Sequence, residues 1–302
     1  MNNTTGSSTL TRPSDTSPGT RTNAHTEVEM LSTNSTARTK RAPAMARAFV
    51  AEWIRLSSKR IWLISVAATV VYSAILTVVM INTAPERSRA GLSIQSLGES
   101  GGGTLAVRTA ASFTSVLILA VFVGMSAGSF ARGTWRASLL QQPRRLTLAV
   151  GTFAARIAIS AVIVAVLFVA GLITAYIVAP GQGIDTGSWL DASSLGTAAD
   201  DYLRVLLFVV GWALLGTLIG ILTRSVAVGL GIGILWAGPI ENILGDNLSL
   251  GSHWFPGLLL RYVVAPETAT VTGTTLVLRL ALYAVIGVLA VGVILRRRDV
   301  SS

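Results

Sequence analysis

The stretch that decides the fold is Thr152–Val178, TFAARIAISAVIVAVLFVAGLITAYIV, which holds 27 residues and one charged side chain, Arg156. An α-helix rises about 1.5 Å per residue, so about 20 apolar residues cross the ~30 Å hydrocarbon core of a bilayer. Strands and ordinary core helices of water-soluble domains are shorter than this apolar run. The stretch therefore predicts a transmembrane helix.

Five further apolar runs of similar length lie on either side of this one. They are Ile61–Ile81, Ala110–Phe130, Tyr202–Leu222, Val226–Leu244 and Leu276–Leu295. With 51% hydrophobic and 13% charged residues, the composition is far from that of a soluble domain. We predict an all-α polytopic membrane protein with six transmembrane helices. The fifth run is glycine-rich and contains Pro239 and Glu241, so we expect it to break near its end or to re-enter.

The positive charge is distributed unevenly between alternate connections. If the six runs cross alternately, one side receives Arg38, Lys40, Arg41, Arg47, Arg55, Lys59, Arg60, Arg132, Arg136, Arg144, Arg145, Arg224 and Arg296–Arg298. The connection Gly181–Asp201, on the other side, has four aspartates and neither lysine nor arginine. By the positive-inside rule both termini are expected in the cytoplasm, although Arg87, Arg89 and Arg108 run against the bias. This placement of the +10 net charge favours membrane lipid, not nucleic acid, as a partner.

The segments outside the runs have distinct compositions. Residues 1–43 are rich in Thr, Ser and Asn and are expected to form a disordered cytoplasmic tail, and 299–302 form a short C-terminal tail. Residues 44–298 are expected to form one transmembrane domain, and its first part, residues 44–60, predicts an amphipathic interface helix at the cytoplasmic surface. One face of that helix would carry Met45, Phe49, Trp53 and Leu56. The helix would serve as a membrane anchor or as a docking site for a partner.

The connection between the second and third runs, residues 131–149, contains four arginines and no acidic residue. Trp135 and Leu139 are one helical turn apart, so they could rest on the bilayer boundary or in a partner's groove. Arg132 and Arg136 flank them. We interpret these residues as a cytoplasmic coupling segment through which a soluble partner would contact the spans.

The sequence argues against several kinds of catalytic site. The only lysines, Lys40 and Lys59, do not follow a glycine, so the chain has no P-loop to bind ATP. Gly124-Met-Ser126-Ala-Gly128 fits the Gly-x-Ser-x-Gly nucleophile pattern, but none of the six runs contains a histidine to activate Ser126. The chain has no cysteine and no cluster of histidine and carboxylate at ligand spacing. We therefore expect no metal and no cofactor.

Small and charged residues inside the runs suggest contacts between helices. Glycines spaced four apart are candidates for close helix packing, within one chain or between two copies. They are Gly124, Gly128, Gly216, Gly220, Gly229 and Gly233. Charged side chains near the ends of runs should snorkel or pair, and Glu241 could pair with Arg204 or Arg279 at the external end. The simpler interpretation is that Glu241, Arg204 and Arg279 only anchor their helices at the membrane interface.

Two segments carry a resemblance to a known family. Residues 51–64, AEWIRLSSKRIWLI, resemble the N-terminal entry of bacterial, especially actinobacterial, type-2 ABC transporter permeases, where Glu-Trp-x-Lys/Arg-Leu precedes an Arg-rich turn. The second match is similar to that family's segment between spans two and three. It comprises Arg132-Gly133-Thr134, Leu139-Leu140, Pro143, Arg145 and Gly151. With the six-span layout, the resemblance covers about residues 44–298.

The resemblance implies the membrane subunit of an ABC exporter that works with a separate ATP-binding subunit. It also implies a second permease copy, identical or related, with spans two and five facing the two-fold axis. Residues 44–60 and 131–146 would contact the ATPase. The residues it offers for this contact are Glu52, Trp53, Arg55, Arg132, Gly133, Thr134, Trp135, Arg136, Leu139 and Arg145.

The function expected from these observations is ATP-driven export of an apolar or amphipathic substrate across the bacterial cell membrane. The chain itself would not be an enzyme, because ATP hydrolysis would belong to the partner. Two alternatives remain open. One is a six-span intramembrane serine hydrolase that uses Ser126, and the other is a non-transporting membrane scaffold or immunity protein.

Overall fold

A computed structural model describes residues 43–84, 93–141, 144–248, 251–271 and 273–297. Within these residues every regular element is helical, and none is a strand. The tails expected at residues 1–42 and 299–302 lie outside the described residues, as do Arg87 and Arg89. The predicted all-α class is confirmed.

Thirteen α-helices follow one another along the described chain. They are α1 Ala44–Leu56, α2 Lys59–Asn82, α3 Ile94–Gly98, α4 Gly102–Ala111, α5 Ser115–Ala131, α6 Thr134–Gln141, α7 Arg145–Val178, α8 Ala192–Thr223, α9 Val226–Leu235, α10 Glu241–Asn247, α11 Gly251–Trp254, α12 Pro256–Val264 and α13 Gly273–Arg297. Short 3-10 turns occupy Ser112–Thr114, Ala179–Gln182 and Pro266–Thr268, and a π turn occupies Trp236–Ile240.

Six helices are long and apolar enough to cross a membrane, as predicted. They cover Lys59–Asn82, Gly102–Ala131, Arg145–Gln182, Ala192–Thr223, Val226–Gly245 and Gly273–Leu295. Each contains its predicted run and most extend beyond it. The largest extensions lie in the second, third and fourth spans, where residues 102–109, 145–151 and 192–201 continue the helices beyond the apolar runs. Hydropathy locates the hydrocarbon-crossing part of a helix but not the turns that project past it.

The basic segments gather at one end of the bundle, which we call the basic end. It comprises α1, α6, the start of α7 and the end of α13. A cluster of buried apolar side chains joins these helices to the end of α8, and it consists of Ala48, Trp135, Leu148, Ile221 and Leu295. The Arg145 guanidinium also donates a hydrogen bond to the Leu295 carbonyl oxygen over 3.1 Å. The opposite end carries α3, α4, α12 and the connection before α8.

Helices α5 and α8 make the most extensive contact in the bundle, and glycine permits it. A β-carbon at Gly216 would lie 2.8 Å from the Leu119 carbonyl oxygen, and one at Gly220 would lie 2.8 Å from the β-carbon of Ser126. Both positions therefore bring the two backbones together within one chain. Gly229 and Gly233 likewise face α5, whereas a β-carbon at Gly124 would meet no atom within 4 Å.

Gly220 has no room for a side chain whereas Gly124 has, so substitutions at these two positions make a matched pair of variants. Gly220→Leu should lower the thermal unfolding midpoint of the detergent-purified protein, because the added side chain must separate α5 from α8. The cost expected for such overpacking is about 1–3 kcal/mol. Gly124→Leu should leave the midpoint of the isolated chain within error. Equal effects at the two positions would contradict the proposed α5–α8 contact.

The α-helix of the fifth span is interrupted by a π turn near its end, at the point where the sequence predicts a break, but the chain stays helical through Gly245. Helix α9 runs to Leu235, the π turn Trp236–Ile240 contains Pro239, and α10 follows. Proline has no N–H to donate to the helix ladder, and a π turn is one way for a helix to absorb the lost bond. The Trp236 ring packs on Phe255, with centroids 5.8 Å apart, so the chain folds back toward the bundle after the break.

Helix α12 is an element that the apolar runs do not reveal. The sequence places Pro256–Val264 in an external loop, yet seven of its nine residues are buried. It packs against α8, where Gly211 leaves room for Leu260. Its nine residues are too few to span a bilayer, so it forms a buried cap at the opposite end of the bundle.

Candidate functional site

Helix α1 lies directly on the first turns of α7 at the basic end. The contact depends on Gly151, because a β-carbon there would lie 2.6 Å from the Met45 carbonyl oxygen and 2.8 Å from the β-carbon of Ala48. The face of α1 toward the bundle therefore consists of a small residue, Ala48, and a polar one, Glu52, both buried. Met45 and Trp53, which belong to the predicted apolar face of α1, do not face the bundle and are exposed.

Beneath α1 lies a buried charged network that joins three helices. The Arg156 Nε donates to Glu52 Oε1 over 2.8 Å, and the Arg156 Nη1 donates to the Ser126 hydroxyl over 3.1 Å. Arg55 donates to the same Glu52 oxygen over 2.7 Å, but its side chain is 42% exposed. Arg156 and Glu52 are only 6% and 8% exposed. A buried charge must be paired, so this network fixes α1 to α5 and α7.

A cavity of about 340 Å³ lies beside the network. Three arginines and one glutamate line it, together with hydroxyl and apolar side chains from α1, α5, α6 and α7. The residues are Arg47, Ala48, Ala51, Glu52, Arg55, Ser129, Thr134, Trp135, Ser138, Leu148, Thr152 and Arg156. The surroundings are therefore basic, although Arg55 and Arg156 are already bonded to Glu52.

Trp135 differs from its predicted position. It was expected at the bilayer boundary or in a partner's groove, but it is 9% exposed and packs in the protein's own basic-end cluster. Its ring lies 5.3 Å from that of Phe130, centroid to centroid. Two of the ATPase-contact candidates, Trp135 and Glu52, are thus buried inside the chain. These two side chains stabilise the basic end from inside and do not form part of a surface that a partner could contact.

Other candidates do lie at the surface of the basic end. Trp53, Arg55, Arg132 and Thr134 are exposed, and Leu139 and Arg145 are partly buried. Gly133 has a positive φ of 68°, which suits glycine in the turn between α5 and α6. The Arg136 side chain lies outside the described part of the structure. Leu140, which belongs to the family match, is 90% exposed.

The environment of Ser126 is that of a structural residue. Its side chain is buried, and its hydroxyl accepts a hydrogen bond from the Arg156 guanidinium. Arginine remains protonated in proteins and cannot take the hydroxyl proton as a general base. Sequence reasoning identified Arg156 only as a charge that should snorkel or pair. Nothing in the linear pattern connects it with Glu52, which is 104 residues away.

The opposite end holds a second charged network. The Arg108 guanidinium donates to Asp201 over 3.1 Å and to Glu267 over 3.2 Å, and the Thr104 hydroxyl donates to Asp201 over 2.8 Å. Arg108 is an exception to the positive-inside rule, because it lies on the side expected to be poor in arginine. Its acidic partners explain this exception, because the arginine is neutralised by carboxylates on the same end.

The predicted ion pair of Glu241 with Arg204 or Arg279 is not formed among the described residues. Glu241 is buried and accepts a hydrogen bond from the Gly257 N–H over 2.6 Å, at the start of α12. Arg204 pairs with Asp200, while Arg279 donates to the His253 carbonyl oxygen and lies over the Trp254 ring. The first N–H groups of a helix have no partner within it, so the carboxylate satisfies one of them.

Comparison with known proteins gives a family without an assigned activity. Residues 94–301 match the family described as protein of unknown function DUF2705. The chain belongs to the DUF2705 family. No curated protein and no solved structure matches it. In this DUF2705 protein the matched region contains Ser126, Arg156 and α6, whereas α1 and Glu52 precede it.

The charged network of this DUF2705 protein gives a stability prediction. Glu52→Ala should destabilise the protein by about 3–5 kcal/mol, because it leaves Arg156 buried without a counter-charge. Arg55→Ala removes an exposed partner of the same carboxylate and should cost less than about 1 kcal/mol. The measurement is the thermal unfolding midpoint in detergent.

A double variant separates pairing from packing. If the network acts as a unit, Glu52→Ala combined with Arg156→Met should be more stable than Glu52→Ala alone, because no unpaired charge remains. Strictly additive losses would show that Glu52 and Arg156 do not stabilise each other.

Proposed function

We propose that this chain is the membrane-spanning subunit of an ATP-driven exporter related to the type-2 ABC permeases, with a separate ATPase docking at the basic end. Its cargo would be an apolar or amphipathic molecule crossing the bacterial cell membrane. A second permease subunit, identical or related, would complete the pathway. This proposal rests on the sequence resemblance and on the architecture of the basic end.

The observation that carries the proposal is the buried network of Glu52, Arg156 and Ser126. It links a surface helix, α1, to the second and third spans through charge-assisted hydrogen bonds of 2.8 and 3.1 Å. A partner that moves α1 would therefore move α5 and α7 with it. Coupling of this kind requires a rigid connection between the docking surface and a bundle with two arrangements.

The exposed side chains of α1 and α6 have the composition of a docking surface. Arg55 and Arg132 supply exposed positive charge, and Trp53 and Leu140 supply exposed apolar area. Aromatic residues and arginine are the side chains most often found at the energetic centre of protein interfaces. Beneath them, Trp135 and Leu148 keep the two helices packed on the spans.

Transport with the partner tests the proposal. The ATP-binding subunit that the proposal requires should copurify with this chain in detergent, and the pair should drive ATP-dependent efflux in vesicles. Leu140→Asp combined with Arg132→Ala should lower efflux about tenfold or more, the result of losing about 1.4 kcal/mol of docking energy. Arg204→Ala, at the opposite end, is the matched control and should leave docking unchanged.

Two outcomes would contradict this function. A chain that does not bind the ATPase lacks the proposed role altogether. Binding without ATP-dependent efflux of any apolar or amphipathic cargo would favour the scaffold alternative instead.

The orientation of the chain is part of the proposal, because the ATPase is cytoplasmic. The natural sequence has no cysteine, so single cysteines report topology without a background. Leu140→Cys, at the basic end, should react with a membrane-impermeant maleimide only after the cells are permeabilised. Leu190→Cys, 63% exposed at the opposite end, should react in intact cells. The reverse labelling pattern would place the basic end outside and remove the ATPase docking site.

A further inference from the structure

The 340 Å³ cavity at the basic end has features that neither the fold nor the proposed coupling requires. Its lining carries three arginines, of which Glu52 engages only Arg55 and Arg156. Arg47 has no side-chain hydrogen bond or ion pair within the described residues and is exposed at the cavity. The cavity therefore combines an excess of positive charge with guanidinium donors that remain available.

A second, independent feature of the cavity is an unsatisfied donor. Trp135 lines it and is more than nine-tenths buried, and its indole Nε1 has no hydrogen-bond partner in the described part of the chain. A buried N–H without an acceptor is costly, so such a group indicates a ligand or water oxygen nearby. Among neighbouring hydroxyl groups, those of Ser129, Thr134 and Ser138 already donate to backbone carbonyl oxygens.

The position of the cavity places it at the level of lipid headgroups. Helix α7 has 34 residues and is therefore about 51 Å long, well beyond the ~30 Å of hydrocarbon. Leu148, which lines the cavity, precedes the apolar run that begins at Thr152, so we expect the cavity to lie where α7 leaves the hydrocarbon at the basic end. Arginine binds phosphate through paired N–H donors, and clustered basic residues at this depth attract anionic lipid.

We propose that this cavity binds the phosphate ester of an anionic phospholipid, held by Arg47 and Arg55 at the junction of α1, α6 and α7. Acyl chains have an adjacent surface, because Val50 and Ile54, one helical turn apart on α1, expose 51% and 67% of their area. This apolar surface favours a lipid over a soluble phosphate ester. A bound headgroup would brace α1 against the spans, so the lipid would stabilise the basic end. The inference does not depend on transport or on an ATPase.

Thermal unfolding of the full chain in detergent tests the inference. Phosphatidylglycerol should raise the unfolding midpoint saturably, and phosphatidylcholine at the same concentration should not. The apparent affinity for phosphatidylglycerol should fall about tenfold or more in Arg47→Gln combined with Arg55→Gln. Arg144→Gln is the matched control, since Arg144 is an exposed arginine at the same end that does not line the cavity. The Arg144→Gln variant should bind phosphatidylglycerol with the same apparent affinity as the unchanged protein.

Further measurements separate the alternatives. Glycerol 3-phosphate and inorganic phosphate are added alone. If either matches the lipid and loses its effect in the double variant, the phosphate site stands but its ligand is soluble, and the lipid assignment is overturned. If phosphatidylglycerol stabilises all variants equally, its binding is non-specific and the site is refuted. Native mass spectrometry of Arg47→Gln, which leaves the Glu52 network intact, should show loss of a retained phosphatidylglycerol, and retention equal to that of Arg144→Gln would refute the site.

Discussion

The burial of Arg156 is the constraint on which the basic end of this protein depends. A guanidinium removed from water needs a counter-charge and hydrogen-bond acceptors, and the nearest spans supply only the Ser126 hydroxyl. The carboxylate comes from Glu52 on α1, outside the six spans. A surface helix is thereby required for the integrity of the bundle. Gly151 completes the arrangement, because only a residue without a side chain lets α1 approach closely enough for the bond.

In the rest of the bundle, small residues and charged residues occupy different places. Where two helices meet deep in the protein, glycine brings their backbones together, as Gly216 and Gly220 do between α5 and α8. Charged groups instead lie toward the ends, where the buried ones have partners, as Asp201 does with Arg108. Helix α13 is the least buried of the six spans, with 6% of its most apolar 18 residues buried. Its remaining apolar surface is suited to lipid or to another membrane subunit.

The opposite end shows a different use of a buried carboxylate. Glu241 accepts the Gly257 N–H at the first turn of α12 and so anchors a short helix that cannot be stabilised by length. The π turn that contains Pro239 directly precedes Glu241. Pro239, Glu241 and Gly257 thus all take part in the cap at this end of the bundle. Both ends of the bundle are therefore sealed by elements that are not themselves spans.

The sequence by itself determined the six spans, the interface helix and the break in the fifth span. These follow from run length, periodicity and proline, which act over neighbouring residues. Through a resemblance to permeases, it also identified Glu52, Trp53 and residues in the 131–149 segment as candidates for contact with an ATPase. It could not show that Glu52 meets Arg156, that Trp135 points inward, or that Glu241 caps α12 and forms no ion pair. Those contacts join residues far apart in the chain, and only the packing of helices decided them, because a buried charge takes whichever partner the fold brings within hydrogen-bond distance.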